Sequence, residues 1–318
     1  MNEVLSLRQT IKNKPAGTKI LTLLASMMEW PMTVEKDVTT RLRQVTSRQN
    51  SLVKELRKAF AHGEPTSDGS LAIEGVRLIE EAVRSGLRFH AIIFSESGRT
   101  HAARLLPQIS SHAEALLLTD DVFISAVSTE TPQGVAALVK LRPVTLEELL
   151  PQISGDGLLV GVAGLQDPGN LGTVIRSAEA FSARGILIGE KTASYFNPKV
   201  ARASAGSLFR EPLVRVNMIE SIQTLRQQGV RVLATSSHKG TPLPEVNFQG
   251  RCLVVIGNEG AGVPAKVLAA ADELITIPHS SRVESLNAGI AASIILYEAA
   301  RQKSSEARSA DRRDRVIG

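Results

Sequence analysis

Three short stretches hold the residue types that chemistry needs, and each lies just downstream of an apolar run. The first, LQDPGNLGTVIRSAEAF, carries Asn170 and Arg176. Asp167-Pro168-Gly169 has turn chemistry, and Asn170 is the expected N-cap of the helix that follows. Helical side chains lean toward the N-terminus, so Arg176 is expected to project over the bare Gly172 toward the helix mouth. A cation beside the positive end of a helix dipole is locally unfavourable, which points to an anion such as a phosphate at the same place. The plain alternative is a surface arginine paired with Glu179 or Glu190.

The second stretch, IGNEGAGVP, has glycines that let the backbone approach a ligand closely, and a Pro264 suited to the first turn of a helix. No Lys-Ser or Lys-Thr follows the last glycine, so this is not a P-loop, and the G-x-G-x-x-G dinucleotide pattern is absent. Glu259, between glycines, either caps a helix or orients a neighbouring arginine. The third stretch, PHSSRVESLNAGIAASIILYEAARQ, is a polar loop entering a helix of mostly small residues. Ser281 and Glu284 fit a capping box and Ser285 is a second possible cap, but helix initiation does not account for Asn287, a poor interior helix residue.

These loops need a rigid frame, and the pattern around them supplies one. LLVGVAG, GILIG, PLVRV, VRVLATS, CLVVIG and ELITIP read as short strands separated by helical patterns such as GTVIRSAEAF and MIESIQTLRQQG. That alternation predicts an α/β domain over residues 158–302, with a mainly parallel sheet and helices on both faces. Ligands in such sheets bind outside the carboxyl ends of the strands, where all three loops fall. Residues 41–142 read as a smaller α/β unit. RQNSLVKELRKAF forms a helix and LAIEG a strand. VRLIEEAVRSG forms an amphipathic helix with Val76, Ile79 and Val83 on one face and Gly86 as its stop, and HAIIF, ALLLT and GVAALVK form further strands. Residues 143–157, with two prolines and two glycines, are the expected linker. Residues 1–40 read as an extension: ILTLLASMM after Lys12, Lys14 and Lys19 is too brief and interrupted for a signal peptide, and Met27, Met28 and Met32 offer alternative starts. The tail 303–318 is charged, poor in apolar residues and expected to be disordered.

Composition excludes other classes. Of 318 residues, 43% are hydrophobic and 22% charged, enough apolar material for packed cores. The single cysteine, Cys252, lies in an apolar run, so there is no disulfide framework, and a reducing, cytoplasmic setting is expected. No apolar run is long enough for a membrane span. Net charge is +5, and between Arg41 and Lys58 six basic residues, including Arg48 and Lys54, face one acid, Glu55. That stretch is either a phosphate-contacting face or an ordinary solvated surface. Lys199 and Arg202, on a helix started by Asn197-Pro198, are further candidates for phosphate contact, the alternative again being a solvated helix surface. Two tyrosines and one tryptophan are too few for a sheet that stacks bases on many aromatics.

Together the three loops resemble the SpoU (TrmH-type) branch of the SPOUT methyltransferases. The N-x-x-x-x-x-R motif is met by Asn170 and Arg176, G-x-E-G by Gly257, Glu259 and Gly260, and a Pro-led loop ending in S-L-N by Pro278, Ser285, Leu286 and Asn287. One departure is Ser281, where the family often has Gly. VTSRQNSLVKELRKAF and LAIEGVRLIEEAV resemble, more loosely, the ribosomal-protein-like RNA-recognition domain often joined to such catalytic domains.

The resemblance implies transfer of a methyl group from S-adenosylmethionine to a ribose 2′-hydroxyl of RNA, ribosomal more than transfer RNA. It also implies a deep trefoil knot and a homodimer built on the helix after Leu286, whose small residues Ala288, Gly289, Ala292 and Ser293 would permit close approach of the twin helix. By position, Gly257, Ile277 and Leu286 would contact the cofactor, and Arg176 would activate the hydroxyl as base or as orienting and electrostatic group. Asn170, Glu259, Ser285 and Asn287 would position it. Two readings from other classes compete. A non-catalytic RNA-binding factor on the same fold would have lost Arg176 or Asn287, and both are present. A small-molecule nucleotide enzyme would carry phosphate-loop glycines, and they are absent.

Overall fold

The computed structural model describes residues 40–153 and 155–314, with side chains as far as 303. Residues 1–39 of the expected extension and 315–318 of the tail lie outside the described residues. Strands β1 (Arg43–Val45), β2 (Leu71–Glu74), β3 (Arg88–Ser95), β4 (Glu114–Leu118) and β5 (Val135–Lys140) form a sheet of order β1-β4-β3-β5-β2. The β1/β4 and β3/β4 pairs are parallel; β3/β5 and β2/β5 are antiparallel.

Both faces of this sheet are covered, and period-two alternation divides the side chains between them. Ala91, Ile93, Leu116, Leu118, Ala136 and Leu138 face helix α1 (Ser51–His62), while Ile92, Phe94, Leu117, Val135, Ala137 and Val139 face helix α2 (Val76–Arg84). Asn50 caps α1, its Oδ1 accepting from Leu52 N at 3.0 Å. Gly86 (φ +68°) stops α2, and Leu87 N turns back to Ala82 O at 3.0 Å.

The second sheet holds β6 (Leu158–Val162), β7 (Gly185–Ile188), β8 (Leu213–Arg215), β9 (Arg231–Thr235), β10 (Thr241–Pro242), β11 (Cys252–Ile256) and β12 (Glu273–Thr276). Their order is β10-β12-β9-β11-β6-β7-β8 and every pair is parallel. The strands are near-continuous apolar runs because both faces are buried. Leu158, Val160, Cys252 and Val254 pack to one side, and Leu159, Leu253 and Val255 to the other. Between the strands lie α3 (Pro168–Ala180), α4 (Pro198–Ala203), α5 (Met218–Gln227) and α6 (Ala265–Ala270); α7 (Ala288–Asp314) closes the chain. From β6 the chain winds outward to β7 and β8, then returns past β11 to β9. The β6/β11 boundary is thus the point where strand order reverses.

Three expectations change. The linker is a packed element: Thr145 and Glu148 form a capping box, and Leu149 and Ile153 are buried against the second sheet. The tail expected to be disordered continues α7 to Asp314, consistent with helix formers such as Ala, Glu and Arg in its sequence. The small residues of α7 face their own chain. Ala288 and Ala292 are buried, a side chain at Gly289 would meet Thr173 of α3, and Ser293 Oγ lies 2.7 Å from Ser177 Oγ.

The two sheets share one apolar cluster in which Leu78 and Ile79 of the first unit join Val200, Leu208 and Phe209 of the second. Arg210 braces the same junction, donating to Glu81 Oε2 (3.0 Å), Ser85 Oγ (3.1 Å) and Glu179 Oε2 (3.0 Å). Each fully buried aliphatic side chain contributes about 1.5–3 kcal/mol and an exposed ion pair about 1 kcal/mol or less, so apolar packing dominates the junction. Among the described residues no helix is long and apolar enough to cross a membrane, and no cluster of His, Cys, Asp or Glu could hold a metal.

Candidate active site

The three polar loops meet at the carboxyl ends of β6, β11 and β12. Helix α3 is capped by Asp167, not by Asn170 as its type suggested. Pro168 occupies the first helical position, and Asp167 Oδ1 accepts from Asn170 N at 2.7 Å. That shift frees the Asn170 side chain. Its Nδ2 donates to Glu259 Oε1, and its Oδ1 accepts from Asn287 Nδ2 at 2.9 Å. Asn287 in turn is the cap of α7, its Oδ1 accepting from Ile290 N at 3.1 Å. One carboxamide therefore ties together the three motif loops, whose residues lie 89 and 117 positions apart in the chain.

Beside this network lies an open cavity of about 610 Å³, counting its mouth. Gly257, Ile277 and Leu286 line it, as do Glu259 and Ser285. Gly257 is obligatory, since a Cβ there would stand 2.2 Å from both Gly262 C and Val263 N, where the loop folds back on itself. Asn258 locks that fold: its N and O bond the O and N of Gly262 at 3.0 Å, its Oδ1 accepts from Gly260 N and Ala261 N, and its Nδ2 donates to Gly164 O at 3.1 Å. Asn258 was not singled out from sequence, nor were Thr235, Ser236, Ser237 and His279, which also line the cavity. The polar cluster ATSSHKG after a strand was the available signal.

Arg176 is exposed and makes no hydrogen bond or ion pair with another described residue. Neither proposed carboxylate pairs with it, since Glu179 is taken by Arg210, and Glu190 accepts from Met218 N at 3.4 Å. The expected open space over Gly172 is filled: a Cβ there would lie 2.5 Å from Ala203 Cβ, because α4 packs at that point. At 100° per residue Arg176 falls on the strip between the α4 contact at Gly172 and the α7 contacts at Thr173 and Ser177, and so faces outward.

The basic stretch is largely committed to its own chain. Arg41 donates to Leu106 O, Ile109 O and Ser110 O, Arg43 pairs with Glu114 at 2.7 Å, and Arg57 donates to Ser125 O at 2.9 Å. Arg48 pairs with Asp121 at 3.2 Å, leaving Lys54 and Lys58 exposed and unpaired among the described residues. Lys199 and Arg202 are exposed on α4, whose cap Asn197 accepts from Lys199 N at 2.9 Å; Arg202 lines a crevice against the first unit.

Residues 157–297 match the SpoU rRNA Methylase family, and residues 50–137 match an MRM3-like substrate binding domain. The chain is 34% identical over 257 residues to the 23S rRNA (guanosine(2553)-2'-O)-methyltransferase RlmP of Bacillus subtilis, covering 80% of this chain and 98% of that one. It is 29% identical over 274 residues to a 23S rRNA (uridine(2479)-2'-O)-methyltransferase of Streptomyces viridochromogenes, covering 83% and 94%. Among solved structures, the SpoU methyltransferase AviRb from Streptomyces viridochromogenes, in complex with the cofactor AdoMet, superposes with a TM-score of 0.71 at 29% identity, over 81% of this chain and 99% of that one.

Proposed function

The chain belongs to the SpoU rRNA methylase family, and from that premise we propose that it transfers a methyl group from S-adenosylmethionine to a ribose 2′-hydroxyl of ribosomal RNA. The observation that carries this reading is the Asn170–Glu259–Asn287 network beside the cavity that Gly257 lines. The chemistry of the lining fits the cofactor: Ile256, Ile277 and Leu286 give the cavity apolar walls, and Thr235, Ser236, Ser237 and Glu259 supply polar groups. Gly257, Ile277 and Leu286 hold the cofactor, which when bound supplies an electrophilic methyl group on sulfur.

The rest is the work of the chain. A guanidinium offers donors and no acceptor, so the part of Arg176 is to hold the ribose hydroxyl beside a phosphate and stabilise negative charge on the oxygen as its proton passes to solvent. Asn170, Glu259, Ser285 and Asn287 fix the loops against one another, and alignment of hydroxyl, methyl and sulfur supplies much of the rate. Residues 50–137, with Lys54 and the paired Arg48 on one side and Lys199 and Arg202 across the junction, select the RNA. A non-catalytic factor would have no use for both an intact Asn170–Glu259–Asn287 network and an exposed Arg176 left unpaired among the described residues.

The fold is read as a deep trefoil knot, supported by the chain doubling back at Gly257–Val263 and by Asn258 holding the loop after β6. The enzyme is placed in the cytoplasm with its RNA. It is read as a homodimer built on α7, through a face other than the small residues. Ile290, Ile294 and Tyr297 are 54%, 37% and 55% exposed at i, i+4, i+7 spacing, an apolar stripe suited to an isologous contact. Light scattering at micromolar concentration is expected to give twice the chain mass for the native protein and the chain mass for Ile294→Asp. A native monomer that is fully active overturns the dimer.

The function is tested by incubating the full chain with radiolabelled S-adenosylmethionine and ribosomal RNA from cells with and without the gene. Label is expected on a single ribose of the RNA from deleted cells and on none from intact cells. No transfer, or transfer to transfer RNA alone, overturns the assignment.

A further inference from the structure

A groove runs along edge strand β8, between Leu141–Arg142 at the end of the first unit and the loop from β7 to α4. At its mouth Tyr195 and Phe196 lie with ring centroids 4.8 Å apart at 32°, and the Arg215 guanidinium carbon sits 5.1 Å from the Tyr195 centroid. Arg215 also donates to Ser194 Oγ at 3.3 Å, so Tyr195 is pre-positioned between Arg215 and Phe196 as its packed neighbours. Both rings are half-buried, and Arg142 is exposed with no partner among the described residues. Tyr195 is one of only two tyrosines in the chain.

The groove connects with the catalytic loops. Ala193 N donates to Leu165 O at 2.8 Å and Gly164 N to Thr192 Oγ1 at 3.1 Å, fastening this loop to the segment that enters α3. Tyr195 and Phe196 lead directly into α4, which packs on Gly172, one turn before Arg176. The six residues of α4 span about 9 Å, the rise of roughly three stacked nucleotides.

We infer that the groove is a nucleotide subsite in which Tyr195 and Phe196 stack a base of the RNA strand flanking the methylated ribose, while Arg142 and Arg215 take its phosphates. Every base has a π-face, so such a platform holds a strand in place without reading its sequence. Burial, aided by neighbouring Glu179, pushes the Glu211 carboxyl in the groove up to about 7, which reduces the negative charge an RNA backbone would meet. The structural alternative is that Arg215 and Tyr195 only brace the loop.

This subsite rests on the RNA reading above, and the test separates the two. The probes are a single-stranded uridine octamer carrying one 2-aminopurine, and the same octamer abasic at that position. The native chain is expected to quench the 2-aminopurine and to bind the abasic octamer about tenfold more weakly. Tyr195→Leu should bind both octamers alike, at the weaker affinity and with unchanged S-adenosylmethionine affinity, and Tyr195→Trp should restore the difference. Equal losses for both octamers in Tyr195→Leu, or no loss for either, overturn the subsite. If Tyr195→Leu loses cofactor affinity, Tyr195→Trp and Phe196→Leu decide by the same comparison. Native protein that methylates ribosomal RNA without preferring the base-bearing octamer sinks the subsite alone; native protein that neither binds nor methylates RNA sinks the function.

Discussion

Replacing Arg176 by alanine is expected to lower methyl transfer by on the order of 10²–10³-fold or more while leaving S-adenosylmethionine affinity unchanged. The two readouts separate because Arg176 stands outside the cavity proposed for the cofactor, on the exposed strip of α3. It makes no bond with another described residue, so among these its loss leaves no buried group unsatisfied and costs the fold little. What is lost is a permanent cation with a planar fork of donors, able to hold a phosphate oxygen and the reacting hydroxyl together. Arg176→Lys keeps the charge but not the fork, and should recover only a small part of the rate. Single-turnover transfer to ribosomal RNA and calorimetry with the cofactor measure both quantities. Transfer at the native rate by Arg176→Ala would remove the residue from the mechanism.

The sequence made the strands legible wherever burial writes itself as apolar runs. Leu158–Val162 and Cys252–Ile256 are covered on both faces, and only apolar residues survive there. It failed at Arg43–Val45 and Thr241–Pro242, three and two residues long, too short and too exposed to carry a period. The cap of α3 could have been read correctly: Asp and Asn are near-equal caps, but Pro168 at the first helical position decides for Asp167.

Other errors needed long-range knowledge. A stripe of small residues announces that something packs closely, but only the fold shows that α3, through Thr173 and Ser177, covers Gly289 and Ser293. The basic stretch looked free because its acceptors, among them Leu106, Glu114 and Ser125, lie some 65 to 71 residues downstream. Likewise Thr235–Ser237 reach the cavity only because β9 sits between β11 and β12, an order no local pattern encodes.

The glycine pair of the second motif loop allows a sharp contrast. At Gly257 an added Cβ would lie 2.2 Å from Gly262 C and Val263 N and 2.5 Å from Gly262 O, all backbone atoms that cannot rotate away. Asn258 fixes those atoms through its own backbone pair and through three side-chain hydrogen bonds, so the whole loop must move outward to admit a methyl group. That displacement reshapes one wall of the cavity and carries Glu259 away from Asn170. Overpacking of this kind costs about 1–3 kcal/mol, and a loss near the upper end corresponds to roughly 100-fold in affinity. Gly257→Ala is therefore expected to weaken S-adenosylmethionine binding by about 100-fold and to abolish most transfer, while β11, buried on both faces, keeps the protein folded. At Gly260 the nearest atom to an added Cβ is Asn258 Oδ1 at 3.7 Å, an ordinary contact. Gly260→Ala should accordingly bind the cofactor within a few-fold of the native protein. Calorimetry on the two variants, with circular dichroism to confirm folding, decides the matter. Equal cofactor affinities for Gly257→Ala and Gly260→Ala would mean that the crowded turn at Gly257 does not shape the binding wall.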